Sequence, residues 1–260
     1  MRGRRLAALL PLALALGGAA GEGAQPMLVP DVSQREIEIS YSFTGAELLL
    51  FGAIAYPGGR APAPGESQPQ VVVVVKGPTQ SILVREKEQV AGIWVNGGRM
   101  RYRSAPSFYA VASARPIRAL VDERTRAIYE LGLDSLQLSP ASGALPEVQH
   151  RYDAGLVSLM RRDGLYYEAP NAVEITDGIL YRARVTIPAR VPVGRFTAET
   201  FLIRDGRVLA AAVRPIEIRK SGFERFVARA ADRYSVLYGI VAVALSVLLG
   251  WAAGALWKRL

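Results

Sequence analysis

Few residues in this sequence combine the types and the spacing that catalysis or metal binding requires. The chain of 260 residues contains one histidine, His150, and no cysteine. A zinc site needs several His, Cys or carboxylate ligands grouped together, and His150 belongs to no HExxH pattern. Glu86 and Glu88 share one face of a predicted strand, where neighbouring basic residues indicate a solvated edge. We therefore predict no catalytic residue, no cofactor-binding residue and no metal ligand.

Motifs that identify common enzyme classes do not occur in the sequence. There is no G-x-S-x-G nucleophile elbow, no P-loop and no G-x-G-x-x-G segment that follows a strand and opens a helix. Strands can still bring distant carboxylates together, so an envelope hydrolase stays open as a third hypothesis. The formal net charge is +9, but no basic block with interleaved aromatic residues indicates nucleic-acid binding. The sequence favours a protein that is not an enzyme and does not bind nucleic acid.

The elements that would position functional residues are clearest at the C-terminal end. Residues 236–257 carry no charge, and Lys258 and Arg259 follow them. A helix of about 20 residues extends about 30 Å, which matches the hydrocarbon thickness of a bilayer. We predict a transmembrane helix over residues 236–257 and a cytoplasmic tail over residues 258–260, because positive charge favours the cytoplasmic side. The alternative is a long helix buried in a protein core.

The N-terminal end has the pattern of a signal peptide, which we place at residues 1–21. Three arginines precede the apolar segment 6–16, and small residues follow it. That segment is too short to span a bilayer stably, which favours cleavage and leaves the cleavage site open. Together the two ends predict a single-pass protein of a bacterial inner membrane. The bulk of the chain would then be periplasmic and the C-terminus cytoplasmic.

The predicted periplasmic part begins with short β-strands. Apolar and polar residues alternate from Glu36 to Phe43, which is the period of a half-buried strand. Val71–Val75 is a β-branched run that is apolar on both faces, and further short strands separated by turn signals follow it. These patterns predict an N-terminal β-sandwich region over residues 25–115.

The period becomes helical after Pro116 and stays so up to Gly164, which is a typical helix stop. Two helices joined by a short loop predict a helical hairpin over residues 116–163. A C-terminal β region over residues 164–220 follows. Its clearest signal is an Asp-Gly pair at 205–206 between two apolar runs, the mark of a tight β-hairpin.

Residues 221–235 complete the predicted periplasmic part as an amphipathic helix, which would lie at the membrane surface or form a solvated stalk. The predicted fold class is therefore mainly β. It consists of an immunoglobulin-like antiparallel β-sandwich with an inserted α-hairpin and one C-terminal transmembrane helix. Whether the two β regions form one sandwich or two is left open by the sequence.

Four segments form longer motifs: FTGAELLLFG at 43–52, VAGIWVN at 90–96, PSFYAVAS at 106–113, and KSGFE at 220–224, which leads into the predicted anchor. With these motifs the chain resembles a family of transmembrane proteins from alphaproteobacteria. The resemblance extends over nearly the whole predicted mature chain. It implies a membrane protein whose gene often lies beside that of a multi-spanning, sulfite-exporter-like permease. The family has no established activity, so the resemblance implies no catalytic residue.

Two groups of residues are candidates for contacts with other molecules. The first is a row of small residues that recur every four positions in the predicted anchor: Ala242, Ser246, Gly250 and Gly254. Such a row lies on one helix face and lets another helix approach closely, so we predict packing against a partner's transmembrane helix or a second copy. The second group is Phe108 and Tyr109, a candidate contact surface at a strand end. Trp94 alternates with apolar neighbours, and burial habits predict that it belongs to the core.

These features favour a non-enzymatic inner-membrane protein that presents a β-rich periplasmic body. Its predicted role is that of an accessory or interaction subunit of a membrane complex, with a transporter as one candidate partner. The predicted partners are the lipid bilayer and either a transmembrane protein or a second copy of the chain, and no cofactor is expected. The alternative is a periplasmic protein that binds a small ligand or an envelope polymer.

Overall fold

The computed structural model describes residues 25–39, 44–59, 62, 67–141, 143–220, 227 and 230–257. The predicted signal peptide at 1–21 and tail at 258–260 lie outside the described residues, as does most of the predicted helix at 221–235. In the described ranges the chain is mainly β. The strands are β1 Met27–Val32, β2 Glu36–Ile39, β3 Gly45–Ala55, β4 Gln70–Lys76, β5 Thr79–Val90, β6 Ile93–Pro106, β7 Tyr109–Ser113, β8 Ser139–Pro140, β9 Tyr166–Pro170, β10 Val173–Thr176, β11 Leu180–Pro188, β12 Gly194–Arg204 and β13 Arg207–Lys220. The α-helices are α1 Glu123–Tyr129, α2 Pro146–Arg162 and α3 Ser235–Trp257, and short 3-10 turns occupy Ile117–Ala119 and Leu133–Ser135.

Two large sheets combine strands from both predicted β regions. A four-stranded antiparallel sheet has the order β1-β3-β11-β10, and a six-stranded sheet has the order β2-β13-β12-β4-β7-β9. Strands from residues 25–115 are therefore neighbours of strands from residues 164–220 in both sheets. The two regions form one body, which answers the question that the sequence left open.

The predicted immunoglobulin-like antiparallel sandwich is wrong in its topology. In the six-stranded sheet β13 pairs with β2 in parallel, and β7 pairs with β9 in parallel. A parallel pair needs a long crossover connection, which a sandwich built only from hairpins does not contain. A third sheet, of order β5-β6-β8, adds a further layer.

The six-stranded sheet is covered on both faces, and β4 shows why. Alternate residues of a strand point to opposite faces. Val71, Val73 and Val75 join the core between the two large sheets. Val72 and Val74 join a second core under the helices and the three-stranded sheet. A strand buried on both faces must be apolar at every position, which accounts for the run of five valines.

The helices of the middle region do not form the predicted hairpin. In α1 the Asp122 carboxylate accepts a hydrogen bond from the Thr125 backbone N–H, a typical N-cap, but this helix has only seven residues. α2 begins at Pro146 and buries Tyr152, Leu156 and Met160. The connection between the two helices contains a 3-10 turn and strand β8. The middle region is therefore a covering layer over the central sheet.

α3 occupies the position of the predicted transmembrane helix, from Ser235 to Trp257. Within the part of the chain that the structure describes, none of the helices is sufficiently long and apolar to cross a membrane. The prediction of a membrane-spanning helix over residues 236–257 is corrected by this finding.

Candidate interaction surfaces

The predicted contact residues Phe108 and Tyr109 are both fully buried, at 0% exposure, so the prediction of a contact surface there is wrong. Phe108 directly precedes β7 and Tyr109 is the first residue of β7, and the two side chains point into different cores. The Phe108 ring lies 6.0 Å from Phe196 in the core between the large sheets, and the Tyr109 ring lies 6.1 Å from Tyr166 in the second core. Because both faces of the central sheet are covered, neither ring reaches solvent.

The Tyr109 hydroxyl has a structural role. It donates a hydrogen bond to the Glu130 carbonyl oxygen and accepts one from the Gly132 N–H at 3.0 Å. Burial raises the pKa of Tyr109 far above its ordinary value. These bonds fix the segment after α1, where Glu130 is in the left-handed region at φ 51°.

A second polar group lies at the edge of the same segment. The Lys76 Nζ lies 2.8 Å from the Glu130 carboxylate and 3.1 Å from the Glu199 carboxylate. Partial burial would lower the pKa of Lys76, but the hydrogen bonds and charges of the two glutamates raise it above its ordinary value. This triad joins β4, β12 and the end of α1, and its geometry is that of an interlayer ion pair.

The clearest exposed feature of the β body is the hairpin of β5 and β6. Residues 87–99, which we call the hairpin tip, are all exposed. The two strands are joined at Ala91 and Gly92, with φ of 49° and 81°, the positive values that a two-residue hairpin turn requires. Ile93 is 69% exposed and Trp94 is 65% exposed, so the prediction of Trp94 as a core residue is wrong. The tip extends beyond the layer that covers the rest of the hairpin.

Helix α2 holds the base of this hairpin. Arg151 forms an ion pair with Glu86 at 3.1 Å, and the Tyr102 hydroxyl donates a hydrogen bond to Asp153 at 2.6 Å. A Cβ atom added at Gly98 would collide with the Tyr152 hydroxyl, which shows how closely the helix approaches β6. The tip therefore projects from a fixed base.

The predicted helix-packing residues share one exposed face of α3. This small-residue face consists of Ala242, Ser246, Gly250 and Gly254. The Ser246 hydroxyl donates to the Ala242 carbonyl oxygen at 2.9 Å, so the polar group of the face is satisfied within the helix. A Cβ atom added at Gly250 or at Gly254 would meet nothing within 4 Å. The packing itself stays a prediction.

The apolar residues on the other sides of α3 are exposed as well. They include Val236, Leu237, Ile240, Val243, Val247, Leu248, Leu249 and Trp251. The described part of α3 therefore presents a continuous exposed apolar surface.

A small cavity of about 120 Å³ lies between the 3-10 turns and β9, lined by Ile117, Gly132 and Glu168 among others. The Nε of Arg126, which also lines it, is buried and has no hydrogen-bond partner among the described residues. The Glu168 carboxylate accepts a hydrogen bond from the Leu133 N–H at 2.6 Å. The cavity has a mixed lining of apolar and charged side chains, and it could hold a small anion or water.

In the described residues no group of three or more His, Asp or Glu side chains is placed to hold a metal ion. His150 lies on the exposed side of α2. The charged side chains named above are arranged as ion pairs and hydrogen bonds between layers. Two apolar surfaces are exposed in the described structure, the hairpin tip and α3.

Sequence reasoning missed the hairpin tip, although its signals were present. The run of six small or apolar residues from Val90 to Val95 contains the Ala91-Gly92 turn, and a turn is rarely buried. Apolar residues placed at a turn therefore indicated an exposed apolar tip. The missed feature was the length of the hairpin, which exceeds that of the layer packed against it.

In class, the described chain is thus a mainly β protein with exposed apolar surfaces. It is a member of the family described as "Putative transmembrane protein (Alph_Pro_TM)", whose model matches residues 27–259. The resemblance seen in the sequence is confirmed by this match. The family description indicates a membrane protein and gives no activity.

Solved structures show only distant likeness. The sporulation control protein Spo0M of Bacillus subtilis is 10% identical, with a TM-score of 0.32, and the alignment covers 81% of this chain and 56% of that protein. The outer membrane decaheme cytochrome OmcA is 12% identical, with a TM-score of 0.25, and coverage is 72% and 22%. This chain therefore spans about half of the first protein and about a fifth of the second. At these scores neither likeness carries an argument. No curated protein matches the chain.

Proposed function

We propose that this protein is a non-enzymatic accessory subunit of a membrane-associated protein complex, and that it presents its β body while α3 holds a partner. The observation that carries the proposal is the exposure of apolar residues on every described side of α3. A helix that is apolar all round is normally covered by other structure. The β body leaves these residues uncovered, so a partner has to supply the cover.

The small-residue face gives this contact a definite geometry. The distance between two packed helices depends on the side chains at the crossing. Gly250 and Gly254 allow the closest approach, and the internally bonded Ser246 hydroxyl adds no desolvation cost. The partner is a helix of a membrane protein or a second copy of α3, which would form a symmetric contact.

The interlayer ion pairs support a structural role for the β body. Lys76 contacts two glutamates from different elements, and Arg151 joins α2 to the hairpin. Groups held in such pairs are engaged in stabilising the fold. A transporter subunit stays one candidate for the partner.

The test is a double substitution on the small-residue face. The variant replaces Gly250 and Gly254 with leucine. Leucine favours helix more than glycine does, so α3 should persist, while the bulk of the two leucine side chains blocks the close approach of another helix. The matched control, Val243→Leu with Val247→Leu, adds bulk to a different face of α3. Size-exclusion chromatography with light scattering in mild detergent, and affinity capture from membranes, would report the assembly.

We expect the glycine variant to lose the oligomer or the captured partner and the valine variant to keep it. Survival of both assemblies in the glycine variant would contradict the proposal. Loss in both variants would show that apolar cover matters but that the small-residue face does not define the contact.

A second candidate function is the binding of a small ligand, and the cavity at Arg126 is the observation that favours it. The buried, unpaired Nε of Arg126 would bond to a small anion. Calorimetric titration of the full chain with acetate and phosphate, compared with the Arg126→Met variant, tests this candidate. Binding that is unchanged in the variant, or absent in both proteins, would exclude it.

A further inference from the structure

The hairpin tip carries an arrangement of charge that the proposed function does not use. Directly paired residues of two antiparallel strands lie on the same face of the sheet. In the hairpin the pairs Arg85–Arg99 and Leu83–Arg101 lie on one face, and after a bulge they are followed by Lys87–Asn96 and Gln89–Trp94. This face, which we call the basic face, therefore combines four cations with Trp94.

The opposite face of the hairpin holds the acids Glu86 and Glu88, and near the turn it also holds Val90, Ile93 and Val95. Glu86 pairs with Arg151 of α2, and Glu88 accepts a hydrogen bond from the Gly98 N–H at 3.3 Å. In the described structure the four cations of the basic face form no ion pair, and all of them are exposed. Like charges directly opposite each other, as in Arg85 and Arg99, destabilise a strand pair. An anionic surface bound at this face would remove that repulsion.

The end of the tip is apolar. Val90, Ile93, Trp94 and Val95 surround the turn, and all are exposed. Tryptophan beside exposed aliphatic residues and next to a row of lysine and arginine is the composition of elements that enter the interfacial layer of anionic bilayers. The rigid base at α2 supports such entry, because little order has to be gained on binding.

We propose that the hairpin tip docks onto an anionic lipid surface, with Trp94 and Ile93 in the interfacial layer and the basic face against the headgroups. This inference is independent of the proposed contact at α3. A protein with an acidic, apolar surface is the other occupant that this chemistry allows, and the experiment decides between the two.

The readout has to be local to the tip, because the exposed apolar residues of α3 could carry the chain onto any vesicle. The chain has three tryptophans, so the full chain with Trp251→Phe and Trp257→Phe retains Trp94 as its single tryptophan. This protein is mixed with vesicles of phosphatidylcholine alone or of phosphatidylcholine with phosphatidylglycerol. Quenching of Trp94 by brominated lipid reports contact with acyl chains, and quenching by iodide reports exposure to water.

Each cation near an anionic surface strengthens binding about fivefold. Replacing Arg85, Lys87, Arg99 and Arg101 by glutamine is therefore expected to reduce lipid contact of Trp94 more than tenfold. A matched control replaces four exposed arginines elsewhere by glutamine: Arg124, Arg161, Arg162 and Arg195. Ile93→Ser keeps every charge and should weaken quenching by removing an apolar contact.

The expected result is quenching by brominated lipid in the anionic vesicles, which decreases with added salt, persists in the control and is lost in the basic-face variant. Equal quenching in both lipids and in all variants would overturn the role of the charges. If Trp94 stays accessible to iodide in anionic vesicles, the tip does not enter lipid, and a protein partner becomes its occupant.

Discussion

The substitution Tyr109→Phe tests the finding that Tyr109 is a core residue whose hydroxyl supports the fold. The ring is fully buried, and its hydroxyl pairs with the Glu130 carbonyl oxygen and the Gly132 N–H. Phenylalanine keeps the ring packing but leaves both backbone groups without this partner. An unpaired buried polar group costs about 1–3 kcal/mol. The Gly132 bond is buried and the Glu130 bond is partly buried, so we expect a loss of roughly 2–3 kcal/mol in the free energy of unfolding.

The measurement is chemical denaturation of the full chain in mild detergent, followed by near-ultraviolet circular dichroism. Tyr129→Phe is the matched control. Its ring lies 5.6 Å from Phe201 and is 36% exposed, and its hydroxyl has no hydrogen bond to any described residue. The control should change stability by no more than about 0.5 kcal/mol. A Tyr109→Phe protein as stable as the control would refute the reasoning.

Three further predictions concern the fold. Gly52→Ala should destabilise the protein by about 1–3 kcal/mol or more, because the new Cβ would collide with the Val29 carbonyl oxygen. The control is Gly155→Ala in α2, where a Cβ meets nothing within 4 Å. In thermal unfolding it should be neutral or stabilising by up to about 1 kcal/mol. Burial raises the pKa of Tyr109, so the folded state keeps this tyrosine neutral. Its contribution to stability is full below about pH 10, the unfolded value, and is lost as pH rises above it. Denaturation at stepped alkaline pH would detect this loss, and a stability that does not change with pH would contradict it. Lys76→Met should cost about 1–2 kcal/mol, since two partly buried glutamates lose their cation, whereas Arg182→Met, which breaks an exposed ion pair, should cost less than about 1 kcal/mol.

Local elements of this fold could be predicted from the sequence because their signals are local. The Asp-Gly pair between β12 and β13 is confirmed as a tight hairpin, with Asp205 at φ 51° and Gly206 at φ 76°. The predicted helical stop at Gly164 is also confirmed, since α2 ends at Arg162. These elements depend on residues a few positions apart, where turn chemistry and helix period decide the outcome.

The arrangement of strands in the sheets could not be predicted in the same way. β4 pairs with β12, and β3 pairs with β11. In both cases the paired strands are more than a hundred residues apart in the sequence. Alternation shows that a strand has two faces, but not which distant strand lies beside it. In β4 the five residues Val71–Val75 are all apolar, so the pattern does not even distinguish the two cores that the strand separates.

The same limit explains two wrong predictions: Trp94 was expected in the core but is exposed, and Tyr109 was expected at a contact surface but is buried. Alternation gives the side of a sheet on which a residue lies, whereas burial depends on how far the covering layer extends along the strand. α2 covers β5 and β6 at Val84, Met100 and Tyr102 and reaches Gly98, and beyond this point the strands continue without cover. β6 has one extra residue in the bulge between the Arg85–Arg99 and Lys87–Asn96 pairs. This residue determines the face on which the side chains of β6 between the bulge and the turn lie. Because of that one residue, Trp94 lies beside the cations of the hairpin. The bulge therefore places Trp94 on the basic face of the hairpin, which is the property on which lipid docking would depend.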